Sequence, residues 1–126
     1  MAPVECFEDL IAWQKARALT AAVYRACRGD SVRRDYALCN QLRRAAVSVM
    51  ANIAEGFERG GRGEFHQFLS TAKASRAEVR SHLYVAMDAG YLQRPEAEAL
   101  LGQAVEVGRI LGGLRKAVAR QRAVQT

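Results

Sequence analysis

Arg43-Arg44-Ala45-Ala46-Val47-Ser48-Val49-Met50-Ala51-Asn52-Ile53-Ala54-Glu55-Gly56-Phe57 reads as one helix with two differentiated sides. Leu42, Ala46, Val49, Ile53 and Phe57 recur at steps of three and four and form an apolar stripe. Gln41, Arg44, Ser48, Asn52, Glu55 and Arg59 follow the same spacing on the opposite side. The first stripe requires partner helices, and the second carries hydrogen-bonding groups that require partners or water.

Working outward, the chain breaks where turn chemistry says it should. Gly29-Asp30-Ser31 ends an apolar-periodic stretch that contains Leu10, Trp13, Ala16, Leu19, Val23 and Cys27, which predicts a first helix over about 7–28. The second helix is expected over about 35–59, closed by Gly60-Gly61-Arg62-Gly63. A third, over about 64–89, carries Phe65, Phe68, Leu69, Ala72, Val79, Leu83 and Ala86 and stops at Ala89-Gly90. Pro95, with Glu96 and Glu98 in the first turn, opens a fourth over about 95–120. Four long amphipathic helices joined by short loops predict an all-α, antiparallel up-down four-helix bundle in a single domain spanning 1–126.

With 126 residues, 50% of them hydrophobic and only two prolines, the chain has the material for one packed core and is not of disordered composition. It has no apolar run near the ~20 residues that cross a bilayer and no basic-then-apolar leader, so a cytoplasmic protein without membrane contact is expected. Cys6, Cys27 and Cys39 are odd in number and lack CxxC spacing, which predicts free thiols and no disulfide framework. The net charge is +6, and the excess is carried by sixteen arginines against three lysines. Arginine favours bidentate contact with phosphate or carboxylate, so an anionic partner follows from composition.

Several groups of residues together resemble a known family. Phe7-Glu8-Asp9-Leu10 with Trp13-Gln14-Lys15-Ala16 is similar to the opening of the four-helix bundle proteins encoded in 23S ribosomal RNA intervening sequences. Gln41-Leu42-Arg43-Arg44-Ala45-Ala46-Val47-Ser48 and Ala51-Asn52-Ile53-Ala54-Glu55-Gly56-Phe57 resemble its central signature. Glu64-Phe65, Phe68-Leu69, Ala72, Ser75, Glu78 and Gly90-Tyr91-Leu92 continue it in order. Two positions depart from the pattern: Met50 stands where the family usually has proline, and Arg76 where an apolar residue is more usual. The resemblance implies a bacterial protein assembled as a ring-like homo-oligomer, a homopentamer, without an assigned enzymatic activity. The family is similar in turn to the accessory protein of diversity-generating retroelements, a basic pentamer that partners a reverse transcriptase and binds nucleic acid. Glu106-Val107-Gly108-Arg109-Ile110-Leu111-Gly112 looks like that relative's last helix.

The candidate sites follow from charge and spacing. After Glu106 the chain carries Arg109, Arg115, Lys116, Arg120 and Arg122 and no acidic residue, a set that would become a continuous positive surface when repeated around a ring. Arg59 and Arg62 flank glycines in a short RGG-like element that would touch RNA phosphates or serve as a solvated turn. Arg44, Ser48, Asn52 and Glu55 read either as a ligand-binding row or as a structural joint between helices or subunits. Arg76 and His82 resemble the arginine–histidine pair of HEPN-type ribonucleases, with His82 moving a proton and Arg76 holding the phosphate. His66 and His82 are too far apart along a helix to share a metal, and no Glu-x-x-His pair, GxxxxGK[ST], GxSxG or HExxH occurs, so no metal or cofactor is expected. Trp13, Tyr24, Val47, Tyr84 and Val85 lie at or beyond the edges of the core stripes and suit a subunit interface.

The expected function is therefore a non-catalytic, oligomeric binding or scaffold module that contacts RNA or DNA through a basic surface. A protein-binding adaptor without nucleic-acid affinity is the alternative, and a ribonuclease using Arg76 and His82 the more remote one.

Overall fold

The computed structural model describes the backbone of residues 3–125 and side chains through Gln121. Four helices account for the architecture: α1 (Ile11–Ala26), α2 (Tyr36–Arg59), α3 (Arg62–Asp88) and α4 (Arg94–Gln125). Sequential helices pack as neighbours and α1 closes against α4, which gives the up-down bundle; no strand occurs among the described residues. Leu19, Leu42, Ile53, Leu69, Leu83 and Leu111 are fully buried at its centre. Each such side chain stabilises the fold by roughly 1.5–3 kcal/mol of transfer free energy.

The N-terminal end departs from the expected helix over 7–28. Phe7–Asp9 form a 3₁₀ turn, and Leu10 is extended at φ −73°, ψ 126° before α1 begins. That extended residue sends the Leu10 side chain into the core while Phe7 packs edge-on against Trp13, with ring centroids 5.1 Å apart. Trp13, expected at an interface, is accordingly half-buried within the chain, with the Arg17 guanidinium 5.6 Å from its ring centre. Tyr24, Val47, Tyr84 and Val85 are exposed.

The turns are built by a few identifiable groups. Val32, in a second 3₁₀ turn at Val32–Arg34, is buried beneath the α1–α2 connection. Asp35 caps α2 by accepting from Leu38 N–H at 3.0 Å through one carboxylate oxygen. Its other oxygen accepts from Tyr91 Oη at 3.2 Å, which ties the start of α2 to the α3–α4 turn. Gly60 ends α2 at φ +82°, and Gly61 already precedes α3, so the connection is two residues long. Gly90, at φ +79°, turns the chain toward Tyr91 and Leu92, whose N–H groups both return to Ala86 O. α3 starts at Arg62, two residues before the expected Glu64, and α4 continues to Gln125, past the expected end near 120.

Candidate nucleic-acid interface

The middle of the polar row on α2 turns inward. Ser48 Oγ lies 2.9 Å from Ser75 Oγ of α3, and Asn52 Nδ2 donates to both Ser48 O (2.8 Å) and Ser48 Oγ (3.0 Å). With one Ser48 lone pair occupied by Asn52, its hydroxyl proton is available to Ser75, so the three groups satisfy one another across the α2–α3 seam. On the other side of α2, Thr20 Oγ1 lies 2.8 Å from Ala16 O and 3.1 Å from Ala46 O, sharing one proton between its own helix and the next. Arg44, by contrast, faces an open depression of about 420 Å³ with Tyr24, Asn40, Arg43, Val47 and Ser48. Ser48 and Asn52 thus form a half-buried joint, while Gln41 and Arg44 at one end of the row and Glu55 and Arg59 at the other face solvent.

The two loop arginines are engaged within the chain. Arg59 bonds Glu55 at 3.1 Å, lies 3.6 Å from Glu64 across the turn, and stands 5.2 Å over the Phe68 ring. Its positive charge is largely offset by two carboxylates. Arg62 Nε donates to Gln121 Oε1 at 3.2 Å, joining the start of α3 to the far end of α4.

The cations of α4 divide into two rows. Arg109, Lys116 and Arg120 are exposed and stand at steps of seven and four, which places them on one face over about 16 Å at ~1.5 Å per residue. None of the three has a carboxylate within ion-pairing distance among the described residues. Arg115 belongs to the adjacent row with Gly108 and Gly112, along the α3–α4 seam, and its buried Nε has no acceptor there. The side chain of Arg122 lies outside the described residues.

Sequence reading named Arg76 only as a departure from the family pattern and as half of a ribonuclease-like pair, and missed the cations beside it on α3. Lys73, Arg76 and Arg80 are spaced three and four apart, so they share one side of α3, where it meets the glycines of α4. A Cβ placed on Gly108 would fall 2.6 Å from both Nε and Cζ of Arg76, and one on Gly112 would fall 4.0 Å from Lys73 Nζ. Arg76 therefore lies directly on the α4 backbone. Burial, and then the neighbouring Arg80 charge, hold its pKa below the ordinary arginine value. The signal in the sequence was the pair of helix-interior glycines four residues apart, which marks a line of close approach. The six-residue offset from Arg76 to His82 turns the two side chains about 120° apart around α3, at ~100° per residue. Arg76 is committed to the α4 side.

Among the described residues no group of three or more His, Cys, Asp or Glu is arranged to hold a metal ion. No helix is long and apolar enough to cross a membrane. Cys27 and Cys39 are buried, and burial, reinforced by the Cys39 thiol, pushes Cys27 up to about 12.

Comparison with known proteins gives the same architecture. The sequence model described as 23S rRNA-intervening sequence protein matches residues 8–113. The crystal structure of a protein of unknown function from the S23 ribosomal protein family of Bacteroides thetaiotaomicron is similar, with a TM-score of 0.77 and 19% identity. The similarity covers 84% of this chain and 99% of that one. No curated protein sequence matches.

Proposed function

The chain belongs to the 23S rRNA-intervening sequence protein family, and from that premise we propose that it is a non-catalytic, self-associating binding module whose α4 face takes up RNA or DNA. The observation that carries this reading is the row of Arg109, Lys116 and Arg120, exposed on one helix face with no carboxylate paired to it among the described residues. Such a row contacts successive phosphates and does not read bases, so binding is electrostatic and largely independent of sequence. Self-association is supported by Tyr84, Val85 and Val105, apolar side chains each about half exposed and outside the core. A ring-like homopentamer, as the family resemblance implies, would repeat the row around its axis and multiply its attraction for a polyanion.

The test is fluorescence anisotropy of a labelled single-stranded RNA at increasing salt. Three phosphate contacts per protomer predict a log–log slope near −2, an affinity loss of about 20-fold between about 50 and 200 mM salt. The triple variant R109Q/K116Q/R120Q abolishes that salt-dependent binding and retains the oligomer. No salt-dependent RNA binding by the wild type, with the oligomer retained, would defeat the reading in favour of a protein-binding adaptor using the exposed apolar residues, and unchanged affinity in the variant would defeat the assignment of binding to the α4 row. RNA shortened by the wild type and left intact by H82A would overturn it in favour of catalysis.

A further inference from the structure

The seam between α3 and α4 combines three features that each cost stability. The Nε atoms of Arg76, Arg80 and Arg115 are buried without an acceptor among the described residues. A buried donor left unpaired costs stability, so three along one seam require an explanation. Arg76 and Arg80 are like charges one helical turn apart, an arrangement that destabilises a helix. Lys73, which approaches the α4 backbone at Gly112, adds a further cation to the line. No carboxylate lies within ion-pairing distance of any of the four among the described residues. The acidic side chain nearest in sequence on α4, Glu106, is held at 3.1 Å by Lys15 of α1.

The glycines give this cluster its geometry. With only hydrogen at Gly108, the Arg76 guanidinium lies flat against α4, where any Cβ would displace it. A guanidinium so held presents its remaining N–H groups in a fixed fork, the arrangement that suits a tetrahedral oxyanion.

We propose that the α3–α4 seam is a phosphate-binding site in which Arg76, flanked by Lys73 and Arg80, donates through its outer N–H groups to a phosphate oxyanion, Gly108 holds Arg76 in register, and Arg115 adds positive charge further along the seam. This rests on the reading that the partner is anionic and assigns it a docking point beside the exposed α4 row. The phosphate would come from a nucleic-acid backbone or from a free phosphate species, and the same experiment separates the two.

The experiment uses the full chain and two probes, inorganic phosphate by calorimetric titration against a chloride background of matched ionic strength, and labelled single-stranded RNA by anisotropy. G108A is the central variant because it leaves the net charge unchanged while pushing Arg76 out of its cradle. The clash falls on a flexible side-chain end, so the variant folds, as circular dichroism would verify; R76Q/R80Q removes the donors themselves. Both variants are expected to weaken phosphate binding at least about tenfold, while R109Q/K116Q/R120Q leaves it intact. If RNA competes with phosphate and loses affinity in G108A, the backbone is the source; if RNA affinity is unchanged in G108A, a free phosphate species is. No phosphate binding above the chloride background in the wild type overturns the site. So does binding retained in both G108A and R76Q/R80Q. Loss of oligomers in R76Q/R80Q without any phosphate effect also overturns it, since the cations then face carboxylates of a second copy. The α4 row can fail its own test while this site stands, because the triple variant does not touch the seam.

Discussion

Replacing Gly56 with alanine should destabilise the bundle, and replacing Gly102 should do the reverse. Both glycines lie inside helices, so each substitution gains about 1 kcal/mol of helix propensity. At Gly56 the new methyl would fall 2.5 Å from Phe68 Cβ, with Phe65 Cδ1 at 3.1 Å and Phe68 Cγ at 3.2 Å. A Cβ is fixed to its backbone, so no rotamer change relieves the overlap; α2 and α3 must separate. Overpacking of this kind costs about 3 kcal/mol at the upper end of the usual range. The net effect for G56A is about 2 kcal/mol of destabilisation, or a Tm lower by roughly 6–10 °C for a chain of this size. Gly102 has nothing within 4 Å of its virtual Cβ, so G102A should keep the propensity gain of up to about 1 kcal/mol and raise Tm by a few degrees. Urea denaturation of both variants at constant protein concentration measures the difference. A G56A protein as stable as the wild type would refute the close α2–α3 approach.

Three further outcomes follow from the capping and thiol geometry. D35A removes an N-cap and should cost about 1 kcal/mol in urea denaturation. The Tyr91 phenol is held above its ordinary pKa, first by its hydrogen bond to Asp35 and then by that carboxylate's charge. Because the folded pKa exceeds the unfolded one, the Tyr91 contribution is complete below about pH 10 and disappears as pH rises through the folded value. The alkaline decline in Tm should therefore be smaller in Y91F, and identical profiles for Y91F and wild type would dismiss the bond. In the native protein a thiol reagent should modify Cys6 before Cys27 or Cys39, since both are buried and Cys27 is pushed to about 12; three equally fast thiols would contradict the packing around Val32.

Much of the helical architecture was legible because it is written in short-range signals. Gly60 and Gly90 take the positive φ that a turn requires, and the apolar spacing of residues 42–57 buries Leu42, Ala46, Val49 and Ile53 as it predicts. The start of α1 was less legible, because Glu8 and Asp9 resemble a first helical turn and only the burial of Leu10 selects an extended residue instead. The polar row looked uniform in sequence. Its division into a half-buried joint at Ser48 and Asn52 and open ends at Arg44 and Glu55 depends on Ser75, twenty-seven residues away from Ser48. The cationic seam was illegible for the same reason: Arg76 and Gly108 belong to different helices, and their contact exists only once α3 and α4 are docked. Arg59 and Arg62 were legible as cations but not as spoken-for ones, since their partners lie across the turn and at the far end of α4.

The two-glycine connection between α2 and α3 also bears on how the chain reaches its fold. It is the shortest link in the bundle, it joins two helices of 24 and 27 residues, and Gly56 lets them meet just before the turn. Contacts that close so short a loop cost little chain entropy, so this hairpin can assemble before the outer helices have anything to dock on. α1 and α4 would then add to a preformed template, with Ser48–Ser75 contacts established in the transition state and the Lys15–Glu106 bridge formed after it. On that order of assembly, refolding rates should respond to Leu69 substitutions more strongly than to Leu111 ones.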